Sequence, residues 1–288
     1  MAEKTLNING KVLYSTKGAA REYGRIGCNF YTGCPHECTY CYLKRGAPSK
    51  LLGGNEVKLK KCFKDERDAI NQFWKEINKW RVQCQLDGIF LSFTTDPLIK
   101  ETRSLTLSAM NMALINDVPV YILTKNADFI NDDSFMTWIE CYSPLHRNLF
   151  HFGFTLTGRD DLEPKASKNA DRLKAMGVMQ SMGFSTFASV EPVIDWESTS
   201  NIIYDAITTC DHFKIGLRSG VKKDYYNIAE SGAAIEQIVR MVKFYDKTIY
   251  LKESTRKLLR QYFTPEAYKE FVSKTVDVDG NNYTFDND

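Results

Sequence analysis

Short apolar runs alternate with amphipathic segments along most of the chain, and this alternation predicts strands followed by helices. Residues 65–80 place Ile70, Phe73 and Ile77 on one face at helical spacing, and Asp65 is positioned to cap the first turn. Residues 88–93 are almost wholly apolar, as is typical of a strand buried on both faces. The predicted strands are 26–31, 88–93, 118–124, 150–157, 185–190, 212–217 and 248–252, and the predicted helices are 65–80, 102–116, 132–142, 167–182, 198–208, 230–245 and 254–272.

The repeated order of strand and helix predicts an α/β fold with a parallel sheet covered by helices. Six or seven such units are fewer than the eight of a closed barrel, so we expect a partial (β/α)6-7 barrel. An Asn9-Gly10 pair between alternating apolar residues predicts a hairpin turn. We therefore expect a short N-terminal hairpin extension over residues 1–24, the barrel over 25–253, and a C-terminal helix with a polar tail over 254–288.

Composition limits the classes of function that remain. The chain has 288 residues, of which 43% are hydrophobic, and its 38 Lys and Arg nearly balance its 36 Asp and Glu. This balance argues against binding nucleic acid through overall charge, although it is compatible with a local basic channel. No apolar run has the length of a membrane span, and the first ten residues lack the apolar core of a signal peptide. We expect a cytoplasmic protein with no membrane partner.

Three of the eight cysteines have a spacing with chemical meaning. Cys34, Cys38 and Cys41 form a CxxxCxxC run, and three thiolates would leave one iron of a [4Fe–4S] cluster open to another ligand. The alternative is a non-enzymatic zinc or electron-carrier protein, with a zinc site completed by His36 or Cys28. Structural zinc requires four ligands, no second CxxC pair follows, and Cys28 falls in a predicted strand, so we interpret Cys28 as structural.

The motif resembles that of the radical S-adenosylmethionine (SAM) superfamily, because an aromatic residue, Tyr40, precedes the last cysteine. Further stretches resemble the spore photoproduct lyase-like branch, over roughly residues 22–220. The resemblance implies a partial barrel, one [4Fe–4S] cluster and SAM, which the reduced cluster cleaves to methionine and a 5′-deoxyadenosyl radical that abstracts hydrogen from a substrate. The stretches are Asn29-Phe-Tyr31, Thr95-Asp96-Pro97, Leu123-Thr124-Lys125, Leu162-Glu163-Pro164 and Arg172-Leu173.

Residue roles follow from the same resemblance. It implies that Lys125 contacts the SAM carboxylate, that Thr94 and Thr95 lie at its amino end, and that Tyr40 lies on the adenine side. Tyr42 matches a tyrosine that relays a hydrogen atom in the DNA-repair members. Those members carry a hydrogen-donating cysteine where this chain has Phe93, so direct photoproduct repair is not predicted. The branch suggests a nucleic acid or nucleotide substrate, and an electron donor such as flavodoxin or ferredoxin.

Polar residues end most of the predicted strands. In a barrel of parallel strands the carboxyl ends converge on one rim, and a zwitterionic amino acid tail with a ribose needs charged and hydroxyl partners there. Ser, Thr and Asp at these positions also cap the helices that follow, which is the plainer interpretation of any single one. The candidates for binding the cofactor are Tyr40, Thr94, Thr95, Asp96, Lys125, Thr157 and Glu191.

Overall fold

A computed structural model describes residues 7–46, 49, 52–222, 224–278 and 280–283. Within these residues, eight strands form one sheet in the order β1-β2-β5-β6-β7-β8-β9-β10, and β3 and β4 form a separate ribbon. The strands are β1 Leu13–Ser15, β2 Ile26–Cys28, β3 Tyr31–Thr32, β4 Lys58–Leu59, β5 Ile89–Leu91, β6 Val120–Thr124, β7 Phe150–Thr155, β8 Ser185–Val193, β9 His212–Leu217 and β10 Thr248–Leu251.

Seven strands of the main sheet, β2 and β5 to β10, run parallel, and the sheet does not close on itself. The predicted partial barrel is therefore confirmed. The Asn9-Gly10 turn forms, with the Gly10 amide donating to the Leu13 carbonyl at 2.8 Å. The chain after that turn, β1, pairs antiparallel with β2 and extends the sheet at its edge.

The helices follow the strands as expected, with their ends shifted by a few residues. Asp65 caps α1 by accepting a hydrogen bond from the Asp68 amide. The single helix predicted over 254–272 is instead two helices, because Thr264 caps a new helix that has Pro265 in its first turn. The helices are α1 Glu66–Lys79, α2 Arg81–Asp87, α3 Lys100–Ile115, α4 Asp133–Glu140, α5 Pro144–Arg147, α6 Asn169–Ser181, α7 Trp196–Ala206, α8 Ile228–Phe244, α9 Glu253–Tyr262 and α10 Pro265–Val272.

None of the helices in the described part of the chain combines the length and the apolar character needed to cross a bilayer.

Alternate residues of each strand serve two different layers, as strand geometry requires. On β7, Phe150, Phe152 and Phe154 are fully buried, and Phe129 stacks on Phe152 with 6.2 Å between ring centroids. A side chain at position 153 would collide with the ring of Phe187 on the neighbouring strand, so this position requires glycine. The other set of alternate positions, to which Gly153 belongs, faces the interior of the barrel.

The connection between β1 and β2 bridges the two ends of the open sheet. Glu22 accepts hydrogen bonds from the Tyr250 hydroxyl at 3.0 Å and from the Glu253 amide at 2.7 Å. The Tyr23 hydroxyl donates to Glu191 of β8 at 2.5 Å. A segment that the sequence assigned to an extension thus contributes side chains to the interior.

The base of the barrel contains two histidines whose titration should be visible in stability. Burial lowers the pKa of His151 from 6.5 to about 4, with the Lys214 charge adding to the effect. The unfolded chain therefore binds a proton between these pH values while the folded chain does not, so stability is complete above pH 6.5 and falls as the pH drops toward 4. Burial lowers the pKa of His212 to about 3, which extends the loss to lower pH.

We expect His151→Phe to reduce this pH dependence. Urea unfolding at several pH values should show the variant gaining stability relative to the wild type as the pH falls from 6.5 to about 4. The ring also stacks on Tyr121 at 4.4 Å, and Phe preserves that contact. Parallel curves for the two proteins would contradict this assignment.

Candidate active site

A cavity of about 790 Å³ opens at the carboxyl ends of the parallel strands. Its volume falls within the range of sites for small molecules and cofactors. The thiols of Cys34, Cys38 and Cys41 are all free and contribute to its wall. The wall also contains most of the other predicted site residues, namely Tyr40, Tyr42, Thr94, Thr95, Asp96, Lys125 and Glu191.

The cysteine loop has its own local framework. The Cys34 amide donates to the Gly54 carbonyl at 2.8 Å, and the Cys41 amide donates to the Cys38 carbonyl at 3.2 Å. Burial, with the nearby Asp96 carboxylate, raises the pKa of the Cys34 thiol to about 12, and burial also raises that of Cys38. A thiol that binds iron does so as the thiolate, so iron would displace these protons.

Gly33 begins the loop in a conformation that other residues avoid. Its φ is +81°, and a Cβ at this position would clash with the Glu56 carbonyl oxygen. We expect Gly33→Ala to destabilise the protein by more than about 1 kcal/mol and to lower iron loading, because the loop must shift. Gly54→Ala is the matched control, since a Cβ there meets no atom within 4 Å. Thermal unfolding and iron analysis of both variants check this; equal effects would disprove it.

A buried His–Asp pair joins the cysteine loop to two strand ends. His36 Nε2 donates to Asp96 Oδ2 at 2.7 Å, and both side chains are about 95% buried. Asp96 Oδ2 also accepts from the Lys125 amide, and Oδ1 accepts from the Thr124 hydroxyl and the Leu98 amide. Burial alone would raise the pKa of Asp96, but these hydrogen bonds hold it below its usual value. Asp96 is thus occupied in positioning the loop.

Glu163 is the centre of a second network beneath the loop. Its carboxylate, fully buried, pairs with Arg172 at 2.6 Å and accepts a hydrogen bond from the Tyr40 hydroxyl. Lys125 Nζ lies 3.8 Å from the same carboxylate and 5.3 Å from the centre of the Tyr40 ring. Because Arg172 already balances Glu163, the partly exposed Lys125 ammonium has charge available for a ligand.

The threonine candidates have three different placements. The Thr95 hydroxyl is buried in the cavity wall, and no described residue hydrogen-bonds to it. The Thr94 hydroxyl donates to the Tyr31 carbonyl at 2.5 Å. Thr157 does not reach the cavity: its hydroxyl accepts from the Arg159 amide at 3.2 Å, in the loop before α6. Thr157 therefore follows the plainer interpretation of a residue that shapes a loop.

The last two candidates lie away from Lys125. Tyr42, about half exposed, donates its hydroxyl hydrogen to the Phe93 carbonyl. Glu191 pairs with Lys252 of the β10 end and accepts from Tyr23. The Lys252 ammonium is buried and lies 3.4 Å from the centre of the Tyr23 ring. Glu191 is thus part of a polar cluster on the β8 and β10 side of the cavity.

Comparison with known proteins identifies solved structures that superimpose on this chain. No protein-family model matches the chain, and a search of curated proteins finds no match. A mutant of spore photoproduct lyase superimposes with a TM-score of 0.63 at 13% identity, covering 86% of this chain and 79% of that one. A second mutant of that enzyme, with bound AdoMet and dinucleoside spore photoproduct, gives 0.54 at 16% identity over 82% of this chain and 64% of its own.

Streptococcus suis SuiB bound to S-adenosylmethionine gives a TM-score of 0.50 at 13% identity, covering 76% of this chain and 44% of that chain. The chain shares its fold with these two proteins. It resembles spore photoproduct lyase in particular, and it spans less than two thirds of the length of the AdoMet-bound structure of that enzyme.

The cavity suits a [4Fe–4S] cluster and SAM, the two groups that the sequence resemblance implies. Three free thiols from one loop are the donor set of a cubane with one open iron. No three metal-binding side chains in the described ranges converge on a point that would hold a single ion. A [4Fe–4S] cluster would not need three side chains that converge on one point, because each thiolate would bind a different iron. The partnerless Thr95 hydroxyl and the Lys125 ammonium are suited to the amino and carboxylate groups of SAM.

Sequence reasoning missed several residues of this site. Glu163 and Arg172 entered only as part of the resemblance, with no role, while Tyr23 was placed in an extension and Lys252 was not assigned to the site. One available signal was the two-residue period of the strands. Positions 189 and 191 of β8, and 250 and 252 at β10, share one register, and this register carries polar residues inside otherwise apolar strands.

Proposed function

We propose that this protein is a radical SAM enzyme. When bound, a reduced [4Fe–4S] cluster on Cys34, Cys38 and Cys41 would supply the electron that cleaves SAM to methionine and a 5′-deoxyadenosyl radical, which abstracts hydrogen from the substrate. The observation that carries the proposal is the opening of all three free thiols into one cavity of about 790 Å³. The radical SAM fold supports it independently.

The chain's own residues would bind and orient the cofactor. Lys125 would bind the SAM carboxylate, since the Glu163–Arg172 pair leaves its ammonium available, and the Thr95 hydroxyl would bind the amino group. Tyr40, fixed by Glu163, would position the adenine side. The His36–Asp96 hydrogen bond would hold the loop at the distance from β5 and β6 that these contacts require.

The proposal for the substrate goes beyond what the fold alone implies. Tyr42 would relay a hydrogen atom in the cavity, and the substrate class we propose is a nucleic acid or nucleotide, because neighbours with this fold include a lyase with a bound dinucleoside. A flavodoxin or ferredoxin would supply the electron, in the cytoplasm. Phe93, where DNA-repair members of the branch have a hydrogen-donating cysteine, argues for a reaction other than direct photoproduct repair.

The test is anaerobic reconstitution with iron and sulfide, reduction with dithionite, addition of SAM, and chromatography for 5′-deoxyadenosine. We expect about four iron atoms per chain and accumulation of 5′-deoxyadenosine. A cluster that is reduced but leaves SAM intact, with a spin signal unchanged by SAM, would contradict the proposal. A colourless protein that retains zinc after anaerobic preparation would instead favour the non-enzymatic metal-binding alternative.

A further inference from the structure

Arg218 lies at the cavity mouth with part of its guanidinium unsatisfied. It follows the carboxyl end of β9 and contributes to the cavity wall. Its backbone is fixed, because its amide donates to the Tyr226 hydroxyl at 2.7 Å and that hydroxyl donates to the Val193 carbonyl at 2.6 Å. The Arg218 Nε is buried, and no described atom accepts its hydrogen bond. A buried donor without an acceptor is unfavourable, which is why such a group calls for an explanation.

A second arginine contacts the backbone just after Arg218. Arg45, which follows the cysteine loop, donates from Nη1 to the carbonyl of Ser219 at 3.1 Å. Gly220 leaves room for this contact, since a Cβ there would come within 3.0 Å of the same nitrogen. Neither Arg218 nor Arg45 forms an ion pair with any carboxylate in the described part of the chain. Arg45 therefore supports the backbone that follows Arg218, and no carboxylate in the described ranges neutralises the Arg218 charge.

The cavity as a whole carries excess positive charge. Five cationic residues contribute to its wall, and only two acidic ones, whereas the whole chain has a formal net charge of +2. Both acids are already used within the protein, Asp96 by four hydrogen bonds and Glu191 by Lys252 and Tyr23. The five cations in the wall are Lys17, Lys60, Lys125, Arg218 and Lys252.

We infer that the mouth of the cavity contains an oxyanion subsite, in which Arg218 binds a phosphate or carboxylate group of the substrate. Guanidinium groups present paired N–H donors that match both kinds of oxyanion. The subsite is separate from the proposed SAM carboxylate contact, because β9 and β6 are separated in the sheet by two strands. The claim that the bound anion is part of the substrate rests on the proposed function. The claim that the subsite binds an anion is independent of the proposed function.

The test is calorimetric titration of the reconstituted full chain with pyrophosphate and, separately, with malonate, at constant ionic strength and saturating SAM. SAM fills its own site, so an anion cannot bind there. We expect Arg218→Gln to weaken binding by at least about tenfold, the loss typical of a charge-assisted hydrogen-bonded pair. Arg240→Gln, the same change on the exposed face of α8, should leave binding unchanged. Binding of pyrophosphate alone would identify a phosphate subsite, and binding of malonate alone a carboxylate subsite.

The inference is overturned if the wild type binds neither anion, or if the two glutamine variants weaken binding equally. Arg218→Lys keeps the charge but loses the paired donors, so intermediate affinity is expected, and this variant decides the question if Arg218→Gln does not fold. Anion binding by a wild type whose reduced cluster neither cleaves SAM nor changes its spin signal when SAM is added would refute the proposed function and leave the subsite standing.

Discussion

The Cys38→Ala variant is expected to lose its cluster and, with it, all SAM cleavage. Cys38 is one of only three cysteines in the loop, and a cubane held by two thiolates is not retained. Iron should fall from about four atoms per chain to near zero, and 5′-deoxyadenosine formation should fall by at least about 1000-fold. Iron analysis, the visible spectrum and chromatography measure the two effects.

The control for this experiment is Cys62→Ala. Cys62 is exposed and lies outside both the motif and the cavity wall, so its loss should affect neither iron content nor SAM cleavage. The barrel should remain folded in both variants, because the apolar core between sheet and helices does not depend on the loop. Full iron loading of Cys38→Ala would refute the assignment of Cys38 as a ligand.

Arg172→Met should be among the most destabilising single substitutions in the chain. The Arg172 side chain is fully buried, pairs with the equally buried Glu163 at 2.6 Å, and donates to the carbonyls of Thr155 and Ser167 at 2.8 and 2.7 Å. Methionine would fill much of the volume but leave a buried carboxylate without its main partner. Removing one partner of such a pair typically costs about 3–5 kcal/mol. Urea unfolding measures the loss.

Two further variants establish that the buried charge is the cause. Adding Glu163→Gln to Arg172→Met should recover part of the lost stability, since the amide keeps the shape and leaves no unpaired charge. Arg240→Met removes an exposed pair with Glu236 and should cost less than about 1 kcal/mol. If Arg172→Met and Arg240→Met were equally mild, the buried pair would not be a major contributor to stability. SAM affinity should also fall in Arg172→Met, because Glu163 would then compete for Lys125.

The succession of strands and helices along the chain and the cysteine loop were predictable because they depend on local signals. Buried parallel strands are continuous apolar runs, so β9 was predicted with its observed bounds, 212–217. The CxxxCxxC run is local in the same sense, since one loop carries all three thiols. The prediction of one continuous helix over 254–272 was wrong, although the Thr264-Pro265 pair that starts the second helix is itself a local signal.

The residues of one rim were also predictable as a group, but their individual partners were not. Thr95 and Thr157 are the same residue type at the same kind of strand end, yet only Thr95 reaches the cavity. Asp96 and Glu191 both lie at strand ends, and both are occupied by partners within the protein. Those partners, His36 and Lys252, lie about 60 positions away along the chain. Sequence separation on this scale contains no information about distance in space.

By itself, the sequence determined the open α/β barrel, the loop of three thiols and the rim at which the strand-end side chains gather. Each of these follows from periodicity or spacing within a few residues. Only the tertiary structure decided which side chains meet across the cavity. Tyr40 against Glu163, Tyr23 against Glu191, and Arg45 against the backbone after Arg218 all join distant segments. Such contacts form because a polar group that becomes buried needs a hydrogen-bond partner, and the fold decides which partner is within reach.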